Sequence, residues 1–379
     1  MAMLLNEDEK MLAETAEGFF ADKSPVKQLR TLRDNRDDTG YDKGLWQEMA
    51  DMGFTGVLID EEHGGVDMGF MAAGLIAEQM GKNLTASPFL STGILAATAL
   101  KQGGSKEQKA EWLPKIASGE TIMALALEES RKHNPKATNM SAERSGNGFK
   151  LSGQKGMVID GHVADQMIVV ARTSGEAGEM DGLTLFLVDP RTNGVSVERT
   201  QMVDSRNSAR IDFDDVEVNA DAVLGEVDKG GEVLGAIVNA GRAAVAAELL
   251  GSGGEAFRQT TDYIRERKQF GVNVGSFQAL QHRSAHLYSE LENARSAVLM
   301  ALTAMDTDAK SAELPVAMAK AKLGQVAKLA GLEGVQMHGG VGMTDEYDIG
   351  LYLKRIRVAQ ELFGDANYQM EQIATMKGY

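Results

Sequence analysis

Apolar residues recur three and four positions apart along the first part of the chain, up to about Gly119. This spacing puts them on one face of a helix, so helices are predicted over LWQEMADMG, MAAGLIAEQMG and KEQKAEWLPKIASG. The acidic start NEDEK suits the positive end of a helix dipole, and several segments end at a glycine that can cap a helix. We therefore predict an N-terminal helical domain over residues 1–119.

The apolar period shortens to two between residues 120 and 231. The runs MALAL, FKLSG, MIVVA, TLFLV, GVSVER and ARIDF are short, often β-branched, and separated by turn-rich pieces such as RSGNG. This alternation is typical of strands. We predict a middle β domain over residues 120–231, folded as a small antiparallel barrel or sandwich.

A helical period returns from residue 232 to the end of the chain at residue 379. One apolar stripe contains Leu234, Ile237, Val238, Val245, Leu249 and Leu250. The alanine-rich segment AGRAAVAAELLG allows helices to approach closely, which predicts a C-terminal four-helix bundle over residues 232–379. No repeat of fixed period is found, so the predicted fold is α+β, with three unlike domains in the order helical, β, helical.

Composition excludes several classes of protein. A net charge of -16, from 39 Lys+Arg and 55 Asp+Glu, repels a phosphate backbone, so nucleic acid is not an expected partner. The absence of cysteine excludes a disulfide framework and a cysteine nucleophile, and no histidine has metal-like spacing, so no metal site is expected. The start MAMLLNEDEK lacks the order of a signal peptide, and no stretch approaches the roughly 18 apolar residues of a membrane span. We expect a cytoplasmic protein without a membrane span.

Two segments of the third block contain residue types that suit a dinucleotide, RERKQFGVNVGSFQ and QMHGGVG. A guanidinium such as that of Arg267 binds anionic groups through forked, charge-assisted hydrogen bonds. Gly339 and Gly340 would let backbone amides approach a phosphate or ribose without an intervening Cβ. Taken alone, the first segment is equally consistent with a basic helix end capped by Gly271. The second is equally consistent with a helix stop and turn in which His338 only packs.

Phrases along the whole chain stand in an order typical of one family. They are GSKEQKAEWLPKIASGE, GLTLFLVDP, IDFDDVEV, LGEVDKGG, ERKQFG, FQALQH, QMHGGVGMTDEY and LFGDANY. With these phrases the chain resembles the acyl-CoA dehydrogenase family over nearly its whole length. LFGDANY and GQKGMVIDG are most similar to the small-subunit type of two-component dehydrogenases of the pimeloyl-CoA class.

The resemblance implies FAD as cofactor, an acyl-CoA as substrate and an electron-transfer flavoprotein-type acceptor as partner. It assigns the cofactor to Arg267, Gln269, Phe270, Gln336, Gly339, Gly340, Gly342, Met157 and Ile159. Members of the family place the QMHGGVG loop on a neighbouring subunit, so that the cofactor lies across an interface. The resemblance therefore implies a homo-oligomer, as a tetramer, or a heteromer with a second dehydrogenase subunit.

The reaction that the resemblance implies is removal of an α-proton by a carboxylate while the β-hydrogen leaves as hydride to flavin N5. The two family positions for that carboxylate fall on Phe363 and Gly241, and neither has one. Asp365, with Glu361 as the alternative, is the candidate base, because it follows the flexible residue after Phe363. An ordinary N-cap or surface acid is the competing interpretation of Asp365. Arg242 is a candidate substrate-binding residue.

The middle block also departs from the family. Glu128, Glu129 and Ser130 stand where the family has roughly T-E-P, with a threonine near the flavin ring. Met157 and Ile159 stand where the family has a tryptophan and a hydroxyl residue that hydrogen-bonds near N5. Two hypotheses follow: a working FAD-dependent dehydrogenase with a displaced base, or a catalytically weak FAD-holding or scaffolding subunit of a heteromer.

Overall fold

The computed structural model describes residues 5–309 and 311–379, so the first four residues of the predicted N-terminal domain lie outside the described residues. The chain forms two compact units. The helical unit contains Met1–Thr31, Phe70–Thr85 and Arg242–Tyr379, and the sheet unit contains Leu32–Gly69 and Ala86–Gly241. Both units take segments from the first predicted domain. The ranges 1–119, 120–231 and 232–379 stay a prediction.

The helices and strands follow the predicted order. The helices are α1 Glu7–Lys23, α2 Val26–Asp34, α3 Lys43–Asp51, α4 Gly69–Asn83, α5 Ala97–Gly103, α6 Lys106–Ala117, α7 Gly230–Glu266, α8 Gln278–Thr307, α9 Glu313–His338, α10 Ile349–Glu361 and α11 Ala366–Lys377. The strands are β1 Met123–Ala126, β2 Ser141–Ser145, β3 Gly148–Ile159, β4 Gln166–Arg172, β5 Leu183–Val188, β6 Val195–Gln201, β7 Asn207–Asn219, β8 Val223–Leu224, β9 Lys268–Gln269 and β10 Val272–Asn273. The α+β class with a helical, β and helical order is confirmed.

The sheet unit is built around strands β1 to β8, in the order β6-β7-β3-β2-β4-β5-β8 with β1 paired to β4. The prediction of a purely antiparallel sheet is wrong. Strand β1 runs parallel to β4, and β2 also meets β4 in parallel at one position. Every residue of β1 is buried, as is typical of a parallel strand covered on both faces.

In the helical unit, α9 packs against α8, α10 and α11. The C-terminal helical domain is confirmed, and its described residues add α11 to the four predicted helices. All six residues of the predicted apolar stripe on α7 are buried. By length and composition α7 could cross a membrane, contrary to the expectation from sequence, but 78% of its most apolar stretch is buried inside the protein, as in a core helix.

Candidate functional site

A short hairpin follows the end of α7 and begins at Arg267. The backbone N–H of Arg267 donates to the carbonyl of Tyr263 at 2.9 Å, and its own carbonyl accepts from the N–H of Val274 at 2.8 Å. Strands β9 and β10 pair through a turn at Phe270 and Gly271, whose φ angles are 56° and 78°. Two consecutive left-handed residues are the signature of a tight hairpin turn. The alternative in which Gly271 caps the helix is therefore wrong.

The hairpin presents its polar and aromatic side chains to solvent. Arg267 and Gln269 are exposed, and Phe270 is 90% exposed. The ring centroids of Phe270 and Phe277 lie 6.2 Å apart in an edge-on arrangement. In the part of the chain that the structure describes, the Arg267 guanidinium has no ion-pair partner. The Gln269 amide donates to the carbonyl of Lys268 at 2.8 Å, so its oxygen stays available. An anion can reach Arg267 without displacing a carboxylate.

The glycine loop starts where α9 ends. Gly339 has a φ of 66°, and a Cβ on Gly339 or Gly340 would meet open space. Gly342 differs: it is buried, and a Cβ there would lie 2.7 Å from the carbonyl oxygen of Val335. The helix stop and turn are confirmed as local structure. Gly339 and Gly340 expose backbone to a ligand, whereas Gly342 is needed for packing.

Tyr263 and His338 bring the hairpin and the glycine loop together. Their rings stack with centroids 4.3 Å apart, and the Tyr263 hydroxyl donates to the His338 carbonyl at 3.2 Å. Burial lowers the pKa of His338, whose Nδ1 lies 2.7 Å from the Gly334 carbonyl, so the packing role predicted for it is confirmed. Arg267 is one helical turn beyond Tyr263. One chain thus presents both segments side by side, so the QMHGGVG loop does not have to come from a neighbouring subunit to lie beside the Arg267 segment, contrary to that expectation. Gln336 is exposed on the same helix end.

The sheet unit contains Met157 and Ile159 on β3. Met157 has a φ of 51° and is 44% exposed, beside a register shift between Lys155 and Val158. The left-handed backbone at this bulge turns the thioether outward. Ile159 is half-buried and has no hydrogen-bond donor on its side chain. The site therefore offers apolar surface to a flat ring at these two positions.

A group of charged side chains adjoins Met157. The carbonyl of Glu128 accepts from the N–H of Gly156 at 2.7 Å, and its carboxylate lies 2.5 Å from Nδ1 of His133. Lys155 is fully buried, donates to Glu129 at 2.6 Å, and has its pKa lowered by burial. The sequence analysis did not identify His133, because the separation of His133 from Glu128 within a loop does not predict that their side chains are in contact. A contact between a carboxylate and an imidazole thus stands where a threonine was expected.

Both candidate bases are engaged with neighbours in the bend between α10 and α11. Glu361 pairs with Arg357 on the same helix. The Asp365 carboxylate accepts from the N–H of Tyr368 at 2.8 Å and caps α11, which is the competing interpretation of this residue. Phe363 lies between them, buried and with a φ of 57°. The bend puts an apolar ring where the family has its carboxylate.

A lysine that the sequence analysis did not identify holds this bend. The Lys320 ammonium is fully buried and donates to the carbonyls of Gln360 at 2.8 Å and Gly364 at 3.1 Å. Burial, followed by the charge of Arg242, lowers its pKa to about 7. A lysine on a helix gives no sequence signal of burial, since most lysines are exposed.

Arg242 and Gln369 fix the carbonyl of Phe363. The donor distances are 3.0 Å from Nε of Arg242 and 2.8 Å from the amide of Gln369. Arg242 is 5% exposed, and its guanidinium lies over the ring of Tyr368. The structure thus places the predicted substrate-binding arginine under the bend, where it supports the backbone at Phe363.

Comparison with known proteins agrees with the fold. Three family models match consecutive parts of the chain: the acyl-CoA dehydrogenase N-terminal domain at residues 6–120, the middle domain at 124–216 and the C-terminal domain at 228–377. The short/branched chain specific acyl-CoA dehydrogenase, mitochondrial, of Bos taurus is 29% identical over 97% of this chain and 85% of its own length. The chain belongs to the acyl-CoA dehydrogenase family, and FAD is the cofactor of this family of acyl-CoA-oxidising enzymes.

Two solved structures illustrate the likeness. Butyryl-CoA dehydrogenase from Megasphaera elsdenii has a TM-score of 0.90 and 26% identity, with 100% of both chains covered. A chain of the ChsE4-ChsE5 complex from Mycobacterium tuberculosis has a TM-score of 0.89 and 25% identity, also with 100% of both chains covered.

The residues present fit FAD at the end that holds the pyrophosphate. Arg267 is exposed without an intrachain carboxylate partner, within the described residues, and Gly339 and Gly340 leave the space that a Cβ would fill. At the ring end, Met157 offers an exposed apolar surface, while Ile159 contributes no donor. The helical unit thus offers groups that suit a pyrophosphate, and the sheet unit offers apolar surface without a side-chain donor at position 159.

Proposed function

We propose that the chain is an FAD-dependent oxidoreductase that introduces an α,β double bond into an acyl-CoA thioester. The observation that carries the proposal is the pairing of an exposed Arg267 with the open backbone of Gly339 and Gly340, through the Tyr263 stack. Arg267 would bind the pyrophosphate, and the amide of Gln269 would bind a phosphate or ribose oxygen. FAD, when bound, supplies the acceptor of the β-hydride.

The residues of this chain have four further tasks in the proposed reaction. Met157 would exclude water from one face of the ring, and Phe270 would pack on the cofactor. Asp365, with Glu361 as the alternative, would accept the α-proton. Asp365 is the better candidate, because its carboxylate accepts from a backbone N–H, whereas Glu361 is paired with Arg357. Arg242 would contribute to substrate binding through the bend that it supports.

A second candidate function has its own supporting observation. The carboxylate position holds the buried ring of Phe363, and both nearby acids are engaged, which favours a catalytically weak FAD-holding or scaffolding subunit. Its partner would be a second dehydrogenase subunit, as in the small-subunit type that LFGDANY resembles. The ChsE4-ChsE5 complex is by its name an assembly of two different chains.

Oligomer formation is part of the proposal in either case. Large apolar side chains are exposed on and beside the hairpin and the glycine loop: Phe270, Val272, Phe277 and Met343. Burying them against another protomer would remove apolar surface from water. We propose a homotetramer or a heteromer, an electron-transfer flavoprotein-type acceptor and a cytoplasmic location.

The flavin absorbance of the purified protein tests this function. FAD is added, the complex is isolated without oxygen, and butyryl-CoA and longer acyl-CoA thioesters are titrated into it. Loss of the oxidised flavin spectrum, with formation of the enoyl thioester, is expected of a dehydrogenase. A yellow protein that no acyl-CoA bleaches would favour the scaffolding subunit, and a protein that binds no FAD would contradict both.

A further inference from the structure

An open cavity of about 820 Å³ lies in the sheet unit, beside the first half of α6. Its lining comes from α6, from strands β2, β3, β4 and β5, and from the segment around β8. The volume falls within the range of about 300–1,000 Å³ that is typical of small-molecule sites. None of the residues assigned to FAD lines this cavity, so it is a separate place in the molecule.

Trp112 offers a stacking surface to this cavity. It lines the cavity from α6 and is half-buried. The ammonium of Lys115 lies 4.6 Å from the centre of the indole, but Lys115 does not line the cavity. The other aromatic residue of the lining, Phe149, is 3% exposed, and the guanidinium of Arg144 lies 5.1 Å from its ring centre. A flat ligand ring therefore has its stacking partner in Trp112 rather than in Phe149.

Gln166 brings a polar group into the same lining. The residue is 9% exposed, and within the described residues its side chain makes no hydrogen bond. Its amide atoms are not among the fully enclosed polar atoms that lack a partner, so a ligand in the cavity can reach them. The backbone at Gln166 is fixed, because β4 pairs with β1 at this position. Buried amides are normally satisfied, so this side chain indicates a bound group with both a donor and an acceptor.

The charged side chains of the lining are mainly acidic. Glu107, Glu111 and Asp221 contribute carboxylates, and Arg144 is the one cation among the lining residues that the structure describes. A phosphate is repelled by this excess of negative charge. Carboxylates accept strong hydrogen bonds from hydroxyl groups, so the same residues suit an uncharged sugar.

We propose that this cavity binds an adenine nucleoside. The amide of Gln166 pairs with the N6 amino group of adenine and the ring nitrogen beside it, the arrangement by which glutamine recognises adenine. The purine stacks on Trp112, and the ribose hydroxyls donate to the carboxylates. This site is independent of the proposed FAD-dependent function.

Titration of adenosine into the full chain tests the proposal by calorimetry and by tryptophan fluorescence. The chain has two tryptophans, and Trp46 is buried with its indole N–H donating to the carbonyl of Gly119 at 3.0 Å. Quenching by adenosine therefore reports on Trp112. AMP is expected to bind about 3- to 10-fold more weakly than adenosine, because its phosphate faces the carboxylates.

Two variants and one altered ligand test the contacts separately. Trp112→Leu is expected to weaken adenosine binding about 5- to 100-fold through loss of stacking, and Gln166→Met about 3- to 10-fold through loss of the amide. Gln201→Met is the matched control, because Gln201 is exposed and does not line the cavity. N6,N6-dimethyladenosine lacks the N6–H donors, so it should lose about 3- to 10-fold against the wild type and nothing against Gln166→Met.

Each outcome decides the proposal. Absence of adenosine binding by the wild type, or equal binding in Trp112→Leu and Gln166→Met, overturns it. Tighter binding of AMP than of adenosine overturns the assignment to a nucleoside. Should Gln166→Met not fold, equal binding of adenosine and its dimethyl derivative to the wild type overturns the role of Gln166. FAD binding and flavin bleaching decide the proposed function separately, so the two can fail independently.

Discussion

Tyr263 and His338 stack with ring centroids 4.3 Å apart, and the Tyr263 hydroxyl donates to the His338 carbonyl at 3.2 Å. This contact joins the end of α7 to the end of α9. The segment that begins at Arg267 and the loop that begins at Gly339 are therefore held next to each other before any ligand binds. Because the two segments are already held in place, ligand binding costs less conformational entropy than it would if binding had to order them.

Removing this stack is expected to weaken FAD binding. Tyr263→Ala should raise the FAD dissociation constant about tenfold, because the hairpin and the glycine loop lose their common support. Tyr263→Phe keeps the ring and loses only the hydrogen bond, so its effect should be smaller. Fluorescence titration with FAD measures both, with Tyr379→Ala as control because Tyr379 is 96% exposed. Equal affinity in Tyr263→Ala and the wild type would contradict the prediction.

Restoring a carboxylate at position 363 is expected to increase activity. Phe363 is held in place through its carbonyl by Arg242 and Gln369, so Phe363→Glu would put a partly desolvated carboxylate on a fixed bend. General-base catalysis contributes about 10²- to 10⁴-fold, and a gain in this range is expected in the rate of flavin bleaching by acyl-CoA. Phe363→Gln is the matched control. No difference between Glu and Gln at this position would rule out a role for the bend in proton removal.

Asp365→Asn separates the two interpretations of Asp365. Asparagine caps a helix about as well as aspartate, so the free energy of unfolding should change little, whereas Asp365→Ala should lose about 1 kcal/mol. If Asp365 accepts the α-proton, Asp365→Asn should abolish bleaching by acyl-CoA while the protein stays folded. Denaturant unfolding and anaerobic spectra measure the two effects. Unchanged bleaching in Asp365→Asn would remove the residue from the reaction.

Burial of Lys320 predicts a pH-dependent stability. Its pKa in the folded protein is about 7, against an ordinary lysine pKa of 10.5 in the unfolded chain. Between these values the unfolded chain binds a proton that the folded protein does not, so the contribution of Lys320 to stability falls as the pH is lowered from about 10.5 to about 7 and is level below that. Lys320→Met removes this dependence.

The test compares unfolding by denaturant for the wild type and Lys320→Met from pH 6 to 10. The difference in free energy of unfolding, wild type minus variant, should rise with pH over the upper part of this range. Lys322→Met is the control, because Lys322 lies on the same helix, is about one-third exposed and pairs with Glu290. A difference that does not change with pH would contradict the lowered pKa.

The sequence could propose candidates whose chemistry is local. Arg267, Gly339 and Gly340 stay predictions, made from the resemblance and from the suitability of a guanidinium and paired glycines for a pyrophosphate. The alternation of apolar residues gave most strands, but it could not give the parallel pairing of β1 with β4, since pairing depends on tertiary contacts. The hairpin was missed because its turn residues, Phe270 and Gly271, are not the usual asparagine-glycine or aspartate-glycine pair.

Residues that act through long-range contacts could not be predicted. Lys320 is separated by 40 positions from Gln360, whose carbonyl it holds, and nothing in the local pattern links the two. The sequence left two roles open for Asp365, in the bend between α10 and α11. The structure shows that Asp365 caps α11, a role that helix-capping propensity allows but does not require.

Titration of FAD into the Arg267 variants tests most directly whether this chain holds the pyrophosphate of a flavin dinucleotide. The wild type should bind FAD, Arg267→Gln should raise the dissociation constant about 10- to 100-fold, and Arg267→Lys should lie between them. Arg265→Gln, which removes a neighbouring charge that is also exposed, should bind as the wild type does. Wild-type affinity in Arg267→Gln, or the same loss in Arg265→Gln, would contradict a specific role for Arg267.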